Sequence, residues 1–350
     1  MAKARIAVIG AGLIGRKHID VLRTTRGGYE LAAVCDPAPE AAVEAQRLGY
    51  PIYEAAEALL DHVEIDGAVV AVPNQMHTSI GLTCIERGLP IILEKPVADS
   101  VGEALRLVEA SERAGVPVLI GHHRRHNPIM RKAAEILQTG ELGTLVAATV
   151  VWMCHKPDDY FDVAWRREAG GGPVLLNAIH DIDCLRMLCG DIESVQAAAS
   201  SAVRGHPVED TAAAVLRFES GMLGTLVVSD AAATSWAWET TSRENPFYPA
   251  EPGDCIQIAG TRGSLAVPSL ELRWYEGRRD WGLPLTARRL PYVPADPYEE
   301  QMRHFAAVIA GTETPVLDAR DGTKTLASTL AISEAARTGG PVQIDRLMDA

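Results

Sequence analysis

The texture of apolar and polar positions changes near residue 121. Up to that point, short uninterrupted apolar runs rich in β-branched residues alternate with stretches of helical periodicity. The runs at 4–9, 31–35, 68–72, 91–94 and 116–120 show no polar alternation, the pattern of strands covered on both faces. Between them, 15–24, 39–48, 77–87 and 100–114 are expected as helices. Such βα alternation predicts a doubly wound parallel sheet with right-handed crossovers, an α/β domain over residues 1–121.

Beyond residue 121, the segments 144–153, 195–203, 212–218, 223–229, 256–259 and 270–275 read as strands. Several are joined by hairpin-type links such as Glu219-Ser220-Gly221. Helices are expected at 128–139, 174–188, 298–309 and 322–338. This predicts an α+β domain over 122–350, built on a large, mainly antiparallel open sheet. All six tryptophans and all four phenylalanines fall here, most expected in its core or a subunit contact and some along a substrate cleft. The proline-rich stretch 245–253 cannot be regular structure and is long enough for a lid or an interface arm.

At 350 residues the chain exceeds the usual single-core limit, in keeping with two domains. A net charge of −13 argues against nucleic acid or an anionic membrane as the main partner. No apolar run approaches the roughly 20 residues that span a bilayer. Met1-Ala2-Lys3-Ala4-Arg5 leads straight into the first strand with no room for a signal peptide, so a cytoplasmic location is expected. The six cysteines are scattered and form no C-x-x-C pair; reduced core thiols are expected, with neither metal nor disulfide.

Candidate chemistry begins at Gly10-Ala11-Gly12-Leu13-Ile14-Gly15, where a predicted strand turns into a predicted helix. Gly10 permits a tight turn, Gly12 lets backbone approach a pyrophosphate, and Gly15 brings helix close to strand. The helix start supplies free N–H groups and positive potential. Asp36 follows the last glycine at the interval expected for an acid that accepts the adenosine ribose hydroxyls. Its charge opposes a 2′-phosphate, so NAD is expected ahead of NADP, which Arg16 beside the loop keeps in play.

Three further groups carry chemistry. Lys95 ends the strand at 91–94 and is either a surface lysine or an ammonium facing the crevice where open α/β sheets bind ligands. After Gly170-Gly171-Gly172-Pro173, Asn177, His180 and Asp183 are spaced by three on one helix face; the imidazole titrates near neutrality and can take a proton from an alcohol. The run 121–128 is either a solvated basic turn capped by Asn127 or a source of cations near a ligand.

Together these residues resemble the family named after glucose–fructose oxidoreductase, inositol dehydrogenase and the rhizopine-catabolism protein MocA. The markers are the Gly10/Gly12/Gly15 loop, Pro73-Asn74 with His77, Glu94-Lys95-Pro96, Arg124-Arg125 with Asn127-Pro128, Trp165-Arg166, and the triple glycine leading to His180-Asp181-Ile182-Asp183. The resemblance covers nearly the whole chain. It implies a Rossmann domain, a second domain whose open sheet makes homodimer or homotetramer contacts, and oxidoreduction of a sugar, polyol or related hydroxyl compound with NAD(P). By this similarity Lys95 and His180 are the catalytic pair, Lys95 beside the reacting oxygen and His180 as acid/base. Cofactor would be held by Gly10, Gly12, Leu13, Ile14, Gly15, Asp36, Pro73, Asn74, His77, Glu94 and Lys95. Substrate would meet Lys95, Arg124, Trp165, Arg166, Asn177 and His180. Inositol-dehydrogenase-like members carry an aspartate four residues before the histidine; Leu176 stands there instead, which puts myo-inositol itself in doubt.

The expected activity is therefore reversible, NAD-dependent oxidation of a secondary alcohol on a neutral sugar, aldose or cyclic polyol. A competing reading takes Arg124, Arg125, Arg166 and Arg167 as a clamp for a carboxylated cyclic hydroxy acid or sugar acid. Rivals from other classes are an NAD-dependent glycosidase and a non-catalytic, cofactor-sensing regulator.

Overall fold

The computed structural model describes residues 3–24 and 27–349. Met1 and Ala2, part of the N-terminal run invoked above, and Ala350, the end of the expected second domain, lie outside the described residues. The chain divides into two compact units: Met1–His126 with Ala295–Leu326, and Asn127–Pro294 with Ala327–Ala350. The expected break at 121/122 thus falls five residues later, and the C-terminal part is not one continuous domain. Its return to the first unit has a physical cause. Met302 and Phe305, both fully buried on helix Pro297–Ile309, pack with Ile6, Val8, Ile19 and Tyr29. Each such side chain contributes about 1.5–3 kcal/mol when removed from water. Periodicity identifies this helix but not which core it completes.

In the first unit, β1 (Ala4–Ile9), β2 (Tyr29–Cys35), β3 (Ile52–Tyr53), β4 (Gly67–Val70), β5 (Ile91–Leu93) and β6 (Val118–Ile120) form a parallel sheet ordered β3-β2-β1-β4-β5-β6. This is the doubly wound order of dinucleotide-binding folds, whose ligands bind beyond the carboxyl ends of the strands. The helices expected between strands are present. β3 and helix Ala56–His62 were not anticipated, because two and seven residues are too short to show a period.

The second unit holds β7 (Leu145–Cys154), β8 (Ile192–Ser200), β9 (Thr211–Phe218), β10 (Leu223–Ser229), β11 (Ser235–Trp236), β12 (Ile256–Gly260), β13 (Gly263–Val267), β14 (Glu271–Trp274), β15 (Thr286–Arg289) and β16 (Val342–Gln343). Among the described residues they form one mixed sheet, ordered β15-β14-β13-β12-β7-β10-β9-β8-β16 with β11 against β7. The pairing is antiparallel except between β7 and β10, which run parallel at its centre. Strict alternation of buried and exposed residues in β9 leaves one face covered and one open.

The structure departs from the expected 174–188 helix at its start. Val174–Ala178 winds as a π-turn before α-helix Ile179–Cys189 takes over. π-turns of this kind recur at functional positions. Asp183 is 1% exposed and belongs to the unit's interior, so it does not share an accessible face with Asn177 and His180.

Candidate active site

The glycine loop leaves β1 and enters helix Leu13–Thr24. Its three glycines are needed for different reasons. Gly10 has φ +98°, and a Cβ there would lie 2.4 Å from the Ala71 carbonyl oxygen. At Gly15 a Cβ would come within 1.9 Å of the Gly10 carbonyl oxygen. At Gly12 it would meet no protein atom within 4 Å, although the position is exposed beside the helix start. Packing therefore dictates the outer two glycines, while the middle one leaves open space at the helix start, the cradle that a phosphate would use. Leu13 follows it with 94% of its surface exposed.

Asp36, half-buried after β2, supports this loop directly. Its Oδ2 accepts the Ala11 amide at 2.6 Å and Oδ1 accepts the Ala38 amide at 2.8 Å. Each oxygen keeps a second acceptor position for a hydroxyl. Arg16 donates to the Ala11 carbonyl at 3.1 Å and pairs with Glu44 at 3.3 Å, so its charge is already engaged within the unit. The cradle, the helix start and the ribose-type acceptor together fit a dinucleotide with an unphosphorylated 2′-hydroxyl.

Lys95 follows β5 and is half-buried; its peptide bond to Pro96 is cis. Glu94 beside it is 5% exposed, with its Oε1 2.8 Å from His18 Nε2 and its Oε2 accepting the Lys95 amide at 3.3 Å. Burial alone would raise this carboxyl. The His18 hydrogen bond and the charges of His18, His123 and Lys95 outweigh burial and hold it below the usual range. Tyr298 stacks on His123 at 4.6 Å and meets His18 edge-on at 5.5 Å. A carboxylate whose folded pKa is depressed adds stability that is complete above its unfolded value, about 4.3, and is lost as pH falls through the folded value. Glu94→Gln is thus expected to be less stable than the native chain from neutral pH down to about pH 5, with the gap closing under further acidification. Urea midpoints across that range check it, and a gap that widens in acid contradicts it.

His77 requires a correction. It was expected among the cofactor ligands, but it is 1% exposed, with Nδ1 2.8 Å from the Pro96 carbonyl oxygen and Nε2 3.0 Å from that of Val72. Burial holds the ring below its ordinary pKa against the pull of those carbonyls. It braces the turn after β4 to the Lys95-Pro96 turn. Asn74 is half-buried and Pro73 exposed on that same turn.

The basic run 122–126 is not a solvated turn. Arg124 is 2% and Arg125 7% exposed, and Arg125 pairs with Asp321 at 2.9 Å. Asn127 does cap the following helix, its Oδ1 accepting the Ile129 amide at 2.8 Å.

In the second unit, Gly172 explains part of the triple glycine: a Cβ there would meet a Glu209 carboxyl oxygen at 2.3 Å. Glu209 accepts the Val174 amide at 3.1 Å and so caps the π-turn; burial raises its pKa. His180, half-buried, is the second residue of the α-helix after that turn. Arg166 packs over the Tyr160 ring at 4.0 Å and donates to its carbonyl at 2.7 Å, while Trp165 is 50% exposed. The sequence reading missed Lys156, whose Nζ donates to Asn177 Oδ1 at 2.8 Å and lies 3.5 Å from Asp230 Oδ2. The signal was available, since Lys156 follows the apolar run of β7 much as Lys95 follows that of β5.

No disulfide joins any of the six cysteines. Among the described residues no cluster of His, Cys, Asp or Glu could hold a metal ion, and no helix is long and apolar enough to cross a membrane.

Residues 4–122 match the family model described as an oxidoreductase family with an NAD-binding Rossmann fold, and residues 130–266 match the GFO/IDH/MocA C-terminal domain. D-apiose dehydrogenase of Paraburkholderia graminis is 30% identical, over 97% of this chain and 90% of its own. 1,5-Anhydro-D-fructose reductase of Ensifer adhaerens is 29% identical, over 97% and 98%. Among solved structures, the WlbA dehydrogenase of Bordetella pertussis in complex with NADH and UDP-GlcNAcA is similar at a TM-score of 0.78 and 25% identity, over 97% of this chain and 98% of that one. Several other curated relatives are named inositol or xylose dehydrogenases. With both domain models matched over most of its length, the chain belongs to the Gfo/Idh/MocA family of NAD-binding oxidoreductases.

Proposed function

We propose that this protein is an NAD-dependent dehydrogenase interconverting a secondary alcohol and a carbonyl on a neutral sugar, aldose or cyclic polyol. The observation that carries the reading is the open side of Gly12 between two glycines closed by packing, with Asp36 hydrogen-bonded to the same loop. The sugar and polyol names of the relatives support the substrate class.

NAD, when bound, accepts hydride at the nicotinamide ring. Backbone amides at the start of helix Leu13–Thr24 hold its phosphates, Leu13 and Ile14 flank them, and Asp36 accepts the ribose hydroxyls. Pro73, Asn74, Glu94 and Lys95 serve the nicotinamide end. Lys95 donates to the reacting oxygen and stabilises alkoxide charge as it develops. His180 takes the hydroxyl proton in oxidation and returns it in reduction. Asn177, Trp165 and Arg166 bind the rest of the substrate. Arg124 completes that set in the proposal, although its 2% exposure leaves little of it to reach a ligand.

The neutral substrate is favoured over an acid because Arg125, one of the four arginines a clamp would use, is buried and paired with Asp321. We assign the protein to the cytoplasm and to a homodimer or homotetramer, joined through the open sheet face that bears Val215 and Leu223, each about half exposed. Sedimentation reads the oligomer.

A panel of neutral and carboxylated sugars and polyols, each with NAD and with NADP, tests the activity by NADH absorbance. Turnover of neutral compounds with NAD is the expected result. Sugar release without NADH would replace this reading with a glycosidase, and cofactor binding without any chemistry would replace it with a regulator.

A further inference from the structure

Lys156 lies just past the carboxyl end of β7, and Asp230 just past that of β10, the one parallel pair at the sheet's centre. The two residues are locked together. The Lys156 amide donates to the Asp230 carbonyl at 2.8 Å, and Arg204 donates to the Lys156 carbonyl at 2.8 Å while pairing with Asp230 Oδ1 at 2.9 Å. The ammonium is thereby fixed at 12% side-chain exposure, 5.0 Å from the Tyr160 ring centroid and 5.6 Å from that of Trp152.

This geometry determines the orientation of Asn177. An ammonium only donates, so the amide oxygen must face Lys156 and the two N–H groups of Nδ2 must point away from it. That contact is the Asn177 side chain's only hydrogen bond within the protein among the described residues. Lys156 in turn has three donors, one committed to Asn177 and one to Asp230 at a loose 3.5 Å. The pair therefore offers mainly donors, the two N–H groups of Asn177 and the third of Lys156, with Asn177 on the π-turn immediately before His180.

We propose that Lys156 and Asn177 form a donor-rich subsite that binds two adjacent oxygens of the substrate. A vicinal diol and a carboxylate share that chemistry. The subsite sets specificity, since a substrate with no oxygen at the corresponding position leaves these donors unpaired. It rests on the dehydrogenase reading for the identity of the ligand as substrate, but its geometry lies wholly within the second unit.

Two variants test it. Lys156→Met keeps the stem and removes the charge, and Asp230 stays paired with Arg204, so no isolated charge is left in the interior. Asn177→Asp keeps the acceptor that Lys156 needs and deletes both N–H donors. Calorimetric titration of the NADH-loaded full chain uses D-xylose, myo-inositol, D-gluconate and D-glucuronate as probes. Both variants are expected to weaken every bound probe by about tenfold or more, the loss typical of a removed charged hydrogen bond, with NADH affinity unchanged. Loss confined to the acids identifies a carboxylate as the ligand group, and loss confined to the neutral probes identifies the diol. Probes that bind native and variant chains alike overturn the inference and leave the dehydrogenase reading intact. Lys156-dependent binding without NADH formation from the same probes and NAD keeps the subsite and removes that reading. A native chain that binds none of the four overturns the subsite.

Discussion

Alanine at His180 is expected to lower kcat for the sugar or polyol substrate by about two to four orders of magnitude, the range for losing a positioned acid/base group. The imidazole is the one partly accessible acid/base side chain at the start of helix Ile179–Cys189, since Asp181 and Asp183 are each 1% exposed. The pH profile should lose its near-neutral limb in the variant, a change that a purely structural defect does not produce. Lys95→Ala should cost a comparable amount through the oxygen rather than the proton, so its residual rate keeps the pH dependence of the native enzyme. In His180→Ala NADH affinity should stay near native, because the cradle at Gly12 is untouched. A fully active His180→Ala enzyme would remove His180 from the mechanism.

The second large effect separates two glycines three residues apart. Gly15→Ala forces a Cβ to within 1.9 Å of the Gly10 carbonyl oxygen, and the clash is between two stretches of backbone. Overpacking of this kind costs about 1–3 kcal/mol or more, and here relief requires moving the helix off the strand. The expected result is a clear fall in Tm together with loss of NADH binding. Gly12→Ala meets no protein atom within 4 Å, so its Tm should stay within the shift of a neutral surface substitution. Its NADH affinity should nevertheless fall at least tenfold or so, because the added methyl takes the space of a closely approaching phosphate. Tm by calorimetry and NADH titration by fluorescence read both quantities. If Gly12→Ala binds NADH like the native chain, the phosphates do not pass over Gly12.

The local elements were legible wherever one face or both faces of a segment are buried along its whole length. β1, β10 and helix Pro39–Leu48 begin and end where their apolar runs do. Short elements and irregular ones were not legible. Two residues of β3 carry no period, and the Gly263-Ser264 start of β13 interrupts the apolar pattern by which strands are recognised. The π-turn at Val174–Ala178 has the same composition as an α-helix, so its sequence does not distinguish the two windings.

The candidate site divides in the same way. Gly10, Gly12, Gly15 and Asp36 are readable because their spacing along the chain is itself the requirement of the turn they make. His77 was misassigned because a histidine after a strand looks alike whether it meets a ligand or two carbonyls, and only the fold shows the Pro96 and Val72 oxygens against its ring. Lys156 was overlooked because its partner Asp230 lies 74 residues away and they meet only through a parallel strand pair.

From its order of residues alone, this chain specified a dinucleotide loop and the alternating strands and helices of the sheet that carries it, since these depend on local spacing and periodicity. The tertiary structure decided which core helix Pro297–Ile309 joins, which cations are buried, and which way the Asn177 amide faces. Those outcomes are set by burial and hydrogen bonds between residues far apart in sequence, which no local pattern encodes.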